Sequence, residues 1–248
     1  MAQSYRSHTL HFVGVSLGLL PVPSPNHGPG NRIVESFNVI GSGLSASYDI
    51  HQRQRFFDEI ARFMDASEVE QKCRLQDRIF TLKEYWSVRM GTSAVYIGSA
   101  ACEFSMGCGS PLPTEVMRCN EMQAVWDETN IIISITNDLL SLRKEMKLGC
   151  IDSIIPLTFA STRDIQKAVD ESIAALKASK ERFDEAARKL LSDDGPCNKI
   201  SPQSKEQLAR FIQVQRSNCV GNLIWSLETR RYNATNLLIS DGSQSFTL

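Results

Sequence analysis

The chain has 248 residues, 42% hydrophobic and 22% charged, which is enough to bury a substantial core within one domain or at most two. Its net charge of -1 gives no basic field of the kind that a nucleic acid backbone or an anionic membrane surface rewards. All four histidines (His8, His11, His27, His51) lie in the first 51 residues, so a site in the rest of the chain must use carboxylates, amides, hydroxyls and cations.

Seven cysteines, scattered and without a C-x-x-C pair, read as reduced thiols in a cytoplasmic protein. No apolar run approaches the ~20 residues that cross a bilayer. Leu10 to Leu20 is interrupted by His11 and lacks a small-x-small cleavage site, which argues against a signal peptide.

Residues 1–48 carry prolines and glycines clustered at 21–31, then Gly41-Ser42-Gly43, and no sustained helical period. They read as a loop-rich or divergent N-terminal segment. Gly41-Ser42-Gly43 lacks the later glycine of a dinucleotide loop and the lysine of a P-loop, so it has no phosphate role.

From residue 49 to 237 the pattern is helical, with 238–248 left as a C-terminal tail. Phe56, Phe57, Ile60, Phe63 and Met64 share one helical face. A second stretch covers about 68–80, and a third runs from Leu82 through Ser99 and carries Arg89. Asn120 to about Leu148 reads as one long helix, closed by Gly149. An amphipathic stretch follows from Asp164 to Leu191. Ser201-Pro202 supplies an N-cap and a proline at the first helical position for a last helix that leads to Arg230-Arg231-Tyr232. No strand alternation appears, so the fold class is all-α.

The long helix holds Asn137, Ser141 and Glu145 at i, i+4 and i+8. They span about 12 Å at 1.5 Å per residue. Helical side chains lean toward the N-terminus, so a long glutamate reaches back past the short serine toward the asparagine carbonyl. One amide oxygen, one hydroxyl and one carboxylate make a hard, oxygen-only site suited to Mg²⁺ sharing its sphere with waters and phosphate. The face continues an apolar stripe of Thr129, Ile133 and Thr136, and polar groups pointed toward a core require partners.

Asn137-Asp138-x-x-Ser141-x-x-x-Glu145, with Lys144, resembles the metal-binding motif of class I terpene synthases of the fungal and bacterial sesquiterpene branch. The resemblance implies a class I terpenoid synthase helical bundle that ionises farnesyl diphosphate with Mg²⁺ and cyclises the carbocation. Asn137, Ser141 and Glu145 would be its metal ligands. Arg89, 48 residues before Asn137 and followed by Gly91-Thr92-Ser93-Ala94, resembles the family's diphosphate-sensing arginine on the helix that breaks beside the substrate, and Arg231-Tyr232 resembles its C-terminal Arg-Tyr pair. Arg89, Lys144, Arg231 and Tyr232 would then hold the diphosphate, Asp138 would orient or cap neighbours, and Trp225 reads as a core tryptophan, or else as a cavity wall that stabilises cations by its π face.

The family's other metal motif, an aspartate-rich D-D-x-x-D/E, has no counterpart here. Asp58-Glu59 is followed by Arg62-Phe63, and Asp193-Asp194 stands in a Gly-Pro turn. The resemblance covers about residues 50–235, with the N-terminal helices missing or divergent through truncation, an alternative start or a replacement segment. Three functions therefore stand open: a sesquiterpene synthase, a non-catalytic terpene synthase-like protein that binds diphosphate or a partner, and a helical interaction protein whose motif is coincidence. Asn233-Ala234-Thr235 matches a glycosylation acceptor and is read as chance.

Overall fold

The computed structural model describes residues 2–21, 31–107 and 111–232, and no strand occurs among them. In chain order the helices are α1 (Ala2–Ser16), α2 (Arg32–Glu35), α3 (Phe37–Ser47), α4 (Ile50–Leu75), α5 (Leu82–Thr92), α6 (Val95–Ala100), α7 (Cys102–Ser105), α8 (Thr114–Arg118), α9 (Asn120–Lys147), α10 (Ile154–Thr162), α11 (Ile165–Leu191) and α12 (Pro202–Glu228). The all-α reading holds. Cys108, His27, the 233–235 acceptor and the 238–248 tail lie outside the described residues.

Helix α9 is the axis, packed by α5, α6, α8, α10, α11 and α12. Its apolar residues divide between two cores. Met122, Val125 and Trp126 join a large one with Phe56, Phe183, Leu190 and Phe211; Ile135 and Leu142 join a smaller one with Phe80, Tyr85 and Ile155. The helix ends as the sequence indicates: Gly149 is left-handed (φ 70°), its N–H bonds Met146 O at 3.1 Å, and Cys150 N–H bonds Glu145 O at 2.9 Å. This 6→1 and 5→2 pair is a Schellman cap. Ser201 caps α12 by accepting from Ser204 N–H, with Pro202 as its first residue.

The N-terminal expectation needs correction. Residues 2–16 and 37–47 are helical rather than loop-rich. Glycine read as a breaker acts here as a contact point, since a Cβ on Gly41 would stand 2.6 Å from Ser16 Cβ. Val13, Leu17, Leu44 and Tyr48 from this segment enter the larger core, so tertiary packing overrides weak local propensity. Two further boundaries move. The face read from Phe56 to Met64 and the stretch read at about 68–80 belong to one helix, α4, which ends at Leu75 and leaves 76–80 outside it, and the stretch read from Leu82 through Ser99 is broken at Ser93-Ala94 into α5 and α6.

Tyr48 ties the N-terminal helices to the rest. Its hydroxyl donates to Ala100 O at 2.9 Å and accepts from Phe104 N–H at 2.8 Å. Tyr48→Phe strands both backbone groups, so denaturant unfolding should record a loss of about 1–3 kcal/mol.

Helix α5 starts at a capping box, in which Thr81 accepts from Glu84 N–H and Glu84 accepts from Thr81 N–H. Hydrogen bonds from Thr81 N–H first, then Arg78 and the Thr81 hydroxyl, hold the Glu84 carboxyl at about 2, below its usual 4.5. A depressed acid stabilises the fold above its unfolded pKa and loses that contribution as pH falls through the folded value. Stability should therefore drop between about pH 4.5 and 2, and Glu84→Gln should make that acid slope shallower.

Candidate functional site

Tyr85 and Arg89 stand at i and i+4 on α5, so both face α9. The α5 helix comes this close to α4 because position 91 is glycine; a Cβ there would lie 2.4 Å from Ala66 Cβ. Gly91→Ala should therefore destabilise the chain by about 1–3 kcal/mol in an unfolding titration, the usual cost of overpacking.

From α5, Arg89 Nη2 donates to Asn137 Oδ1 and to Asp138 Oδ1, each at 2.8 Å. The other end of the Asn137 amide is also held, since Nδ2 donates to the Tyr232 hydroxyl oxygen at 2.8 Å. One side chain of α9 thus links α5 to the segment after α12. Asp138 is the anchor behind it, with its side chain only 4% exposed. Besides Arg89, it accepts from the Tyr85 hydroxyl and, at 2.9 Å, from Ile154 N–H, the first amide of α10. Ser153 makes no side-chain cap bond, so Asp138 caps α10 from a neighbouring helix.

Burial works to lower the Arg89 pKa, but Asp138, Tyr85 and Glu145 together carry it above the ordinary guanidinium value. Burial, and then the Asp138 charge, push the Tyr85 hydroxyl well above the usual phenol value. The Glu145 carboxyl is raised, chiefly by burial; the Ser141 hydroxyl opposes the shift, Asp138 adds to it, and Lys144 and Arg89 oppose it. Ser141 Oγ is fully buried, and although close enough to influence Glu145 it meets no strict hydrogen-bond geometry.

Those features fit a hard divalent cation. A buried hydroxyl oxygen without a partner and a desolvated carboxylate one helical turn on are groups that a cation would satisfy, and the Asn137 carbonyl keeps a lone pair beyond the one Arg89 uses. Around them Lys144 Nζ lies 5.6 Å and Arg231 Cζ 5.9 Å from the centre of the Tyr232 ring. Every residue named from the sequence for metal or diphosphate therefore falls in one neighbourhood, where α5, α9 and the end of α12 meet. Among the described residues no three His, Cys, Asp or Glu side chains group as a metal site. Asp58 bonds Gln54 on the surface, and Asp193 is fully exposed beside Lys205.

Two readings change. Trp225 is not a core residue: half of it is exposed, and it meets Tyr232 edge-on at 5.8 Å. Thr136 does not share the Asn137 face, because it lines a groove with Ile132, Leu176, Val220 and Leu223 on the α11–α12 side. Toward α5 the helix presents a polar line, Asn130, Ser134 and Asp138, beside the apolar Ile131 and Ile135. Sequence reasoning missed Tyr85 and Asn130, yet both carry a signal, at i−4 from Arg89 and i−7 from Asn137.

Residues 17–182 match the family model described as terpene synthase family 2, C-terminal metal binding. The sesquiterpene cyclase hepA of Aspergillus oryzae is 35% identical over 243 residues, 96% of this chain and 64% of that protein. Pristinol synthase of Streptomyces pristinaespiralis is 27% identical over 228 residues, 90% of this chain and 59% of that one. This chain thus spans about 60% of the length of these relatives. Among solved structures, an α-eudesmol synthase superposes with TM-score 0.77 at 19% identity, covering 92% of this chain and 71% of the other. The linalool/nerolidol synthase of Streptomyces clavuligerus, in complex with 2-fluorogeranyl diphosphate, gives 0.76 at 18% identity, covering 91% and 73%. The matched region reaches well into residues 1–48, so the expected limit of the resemblance at about residue 50 is also corrected. By its family match, its motif and its helical fold, the chain belongs to the class I terpene synthases of family 2 and carries their C-terminal metal-binding region.

Proposed function

We propose that this chain is a sesquiterpene synthase that ionises farnesyl diphosphate with Mg²⁺ and cyclises the resulting carbocation. The observation that carries the reading is the linked trio Arg89, Asn137 and Tyr232, set beside the unsatisfied Ser141 hydroxyl and the desolvated Glu145. The names of hepA and pristinol synthase, and the diphosphate ligand of the linalool/nerolidol synthase, support the substrate class.

In this reading Asn137, Ser141 and Glu145 hold Mg²⁺, which supplies charge neutralisation of the leaving diphosphate. Arg89 presents a guanidinium fork that donates to phosphate oxygens, and Asp138 with Tyr85 keeps that fork aimed. Lys144 and Arg231 add positive charge, and the Tyr232 hydroxyl is free to donate to a phosphate oxygen while still accepting from Asn137. When the allylic C–O bond breaks, the electron pair stays on the diphosphate oxygen, where these donors are already oriented. Loss of a proton from the cation ends the reaction. The working helical domain of this proposal takes in α1 and α3 as well as the helices from α4 onward, since Val13, Leu17, Leu44 and Tyr48 share its larger core.

The absence of a D-D-x-x-D/E motif from the sequence favours a second reading, a terpene synthase-like chain that binds diphosphate without turnover. Titration calorimetry with inorganic diphosphate tests what both share. Binding should require Mg²⁺ and weaken at least tenfold in Glu145→Gln; binding indifferent to Mg²⁺ and to Glu145 would rule out both.

A further inference from the structure

We infer that Asn130, which lies outside the metal motif, is a positioning residue that holds the break between α5 and α6 and thereby sets the aim of Arg89. The inference rests on the diphosphate-binding reading for its consequence, but the clamp itself stands on the following geometry.

The break has a cost. Ala94 is left-handed (φ 61°, ψ 8°), a conformation unfavourable for any residue with a Cβ. It offers α6 no side-chain cap. At the end of α5 the carbonyls of Arg89 and Gly91 still accept from the Ser93 and Ala94 N–H groups, whereas that of Met90, between them, is met by a side chain from another helix. Something outside α5 and α6 must stabilise this joint, and the groups that do so converge on one side chain.

Asn130 is completely buried on α9. Its Nδ2 donates to Met90 O at 2.8 Å, the residue after Arg89, and so satisfies a carbonyl of the last turn of α5. Its Oδ1 accepts from Ser93 Oγ at 2.7 Å and from Ser134 Oγ at 3.2 Å. Ser93 Oγ in turn accepts from Val95 N–H at 3.3 Å, capping α6 from one residue before its usual N-cap position. A single amide therefore supports both sides of the break, with a donor for α5 and an acceptor for the residue that caps α6. Gly91 against Ala66 holds the opposite face of α5, so the joint is gripped between α4 and α9.

The consequence for Arg89 follows from position. Arg89 lies one residue before the carbonyl that Asn130 holds, and its fork must meet Asn137 and Asp138 at 2.8 Å together. Asn130 and Asn137 stand seven residues apart on α9, two turns of one face, so a single rigid helix fixes both the joint and the acceptor that Arg89 must reach. A shift of an ångström in the last turn of α5 would break this match, and misplacement on that scale can cost about 10²-fold in an enzyme.

Two measurements test the clamp separately. The first is hydrogen exchange of the free chain, which needs no ligand. Asn130→Asp keeps the side-chain volume but sets a carboxylate oxygen against Met90 O. It should speed exchange at the amides of Ser93, Ala94 and Val95 at least tenfold, with the amides of α11 unchanged; equal acceleration everywhere, or none at the joint, would overturn the clamp. Ser93→Ala, at a half-buried position, removes the α6 side of the grip if Asn130→Asp does not fold, and the same local acceleration is expected.

The second is a double-mutant cycle on Mg²⁺-dependent affinity for inorganic diphosphate, read by calorimetry. Ser93→Ala and Arg89→Ala should each weaken binding, with the double variant no weaker than Arg89→Ala alone, because both act through the guanidinium. Additive losses would overturn the link from joint to Arg89. If exchange at the joint responds as expected while the unaltered chain binds no diphosphate, the clamp stands and the diphosphate reading fails.

Discussion

Replacement of Asp138 by alanine is expected to be the most destabilising single change at the site, by about 3–5 kcal/mol. The carboxylate is nearly inaccessible and receives three donors from two helices: the Arg89 guanidinium and Tyr85 hydroxyl of α5, and the Ile154 amide that opens α10. Alanine leaves a largely buried guanidinium without its charge partner, a buried phenol without an acceptor and a helix without its cap. For a chain of this length each kcal/mol moves the melting temperature by about 2–4 °C, so calorimetry should record a fall on the order of 10 °C. Asp138→Asn keeps the shape and one acceptor, and should fall between wild type and alanine. Equal stability of Asp138→Ala and wild type would mean that the three contacts hold little in solution.

The second large effect belongs to Arg89. Arg89→Lys keeps a positive charge near Asp138, but an ammonium on a flexible stem cannot supply the planar fork that reaches Asn137 and Asp138 from one nitrogen and leaves other N–H groups for phosphate. Release of diphosphate from farnesyl diphosphate should slow by about 10²–10³-fold, the usual consequence of losing one preorganised donor to developing negative charge. The folded state keeps its ion pair with Asp138, so the melting temperature should change much less than in Asp138→Ala. A matching fall in stability and rate would instead assign Arg89 to folding alone.

The sequence made much of this arrangement legible because regular helices convert spacing into geometry. Asn137, Ser141 and Glu145 needed only the rise and tilt of an α-helix to be placed on one face, and the ends of α9 and α12 were marked by Gly149 and by Ser201-Pro202. What stayed hidden depends on contacts between helices. The role of Asp138 as a hub is set by Tyr85 and Ile154, 53 and 16 residues away. The helical state of residues 2–16 depends on Val13 and Leu17 reaching a core that α4, α6 and α9 complete, and the close crossing at Gly41 looks in one dimension like a loop signal. The break at Ala94 is implied by the resemblance around Arg89, but its stabilising group, Asn130, arrives from another helix.

The deciding measurement is turnover of farnesyl diphosphate by the purified 248-residue chain in the presence of Mg²⁺, with volatile hydrocarbon and released diphosphate scored beside Glu145→Gln. The proposal predicts a terpene hydrocarbon and matching diphosphate from the unaltered chain, lost without Mg²⁺ and reduced at least 10²-fold in the variant. Diphosphate release no faster than in Glu145→Gln would contradict it.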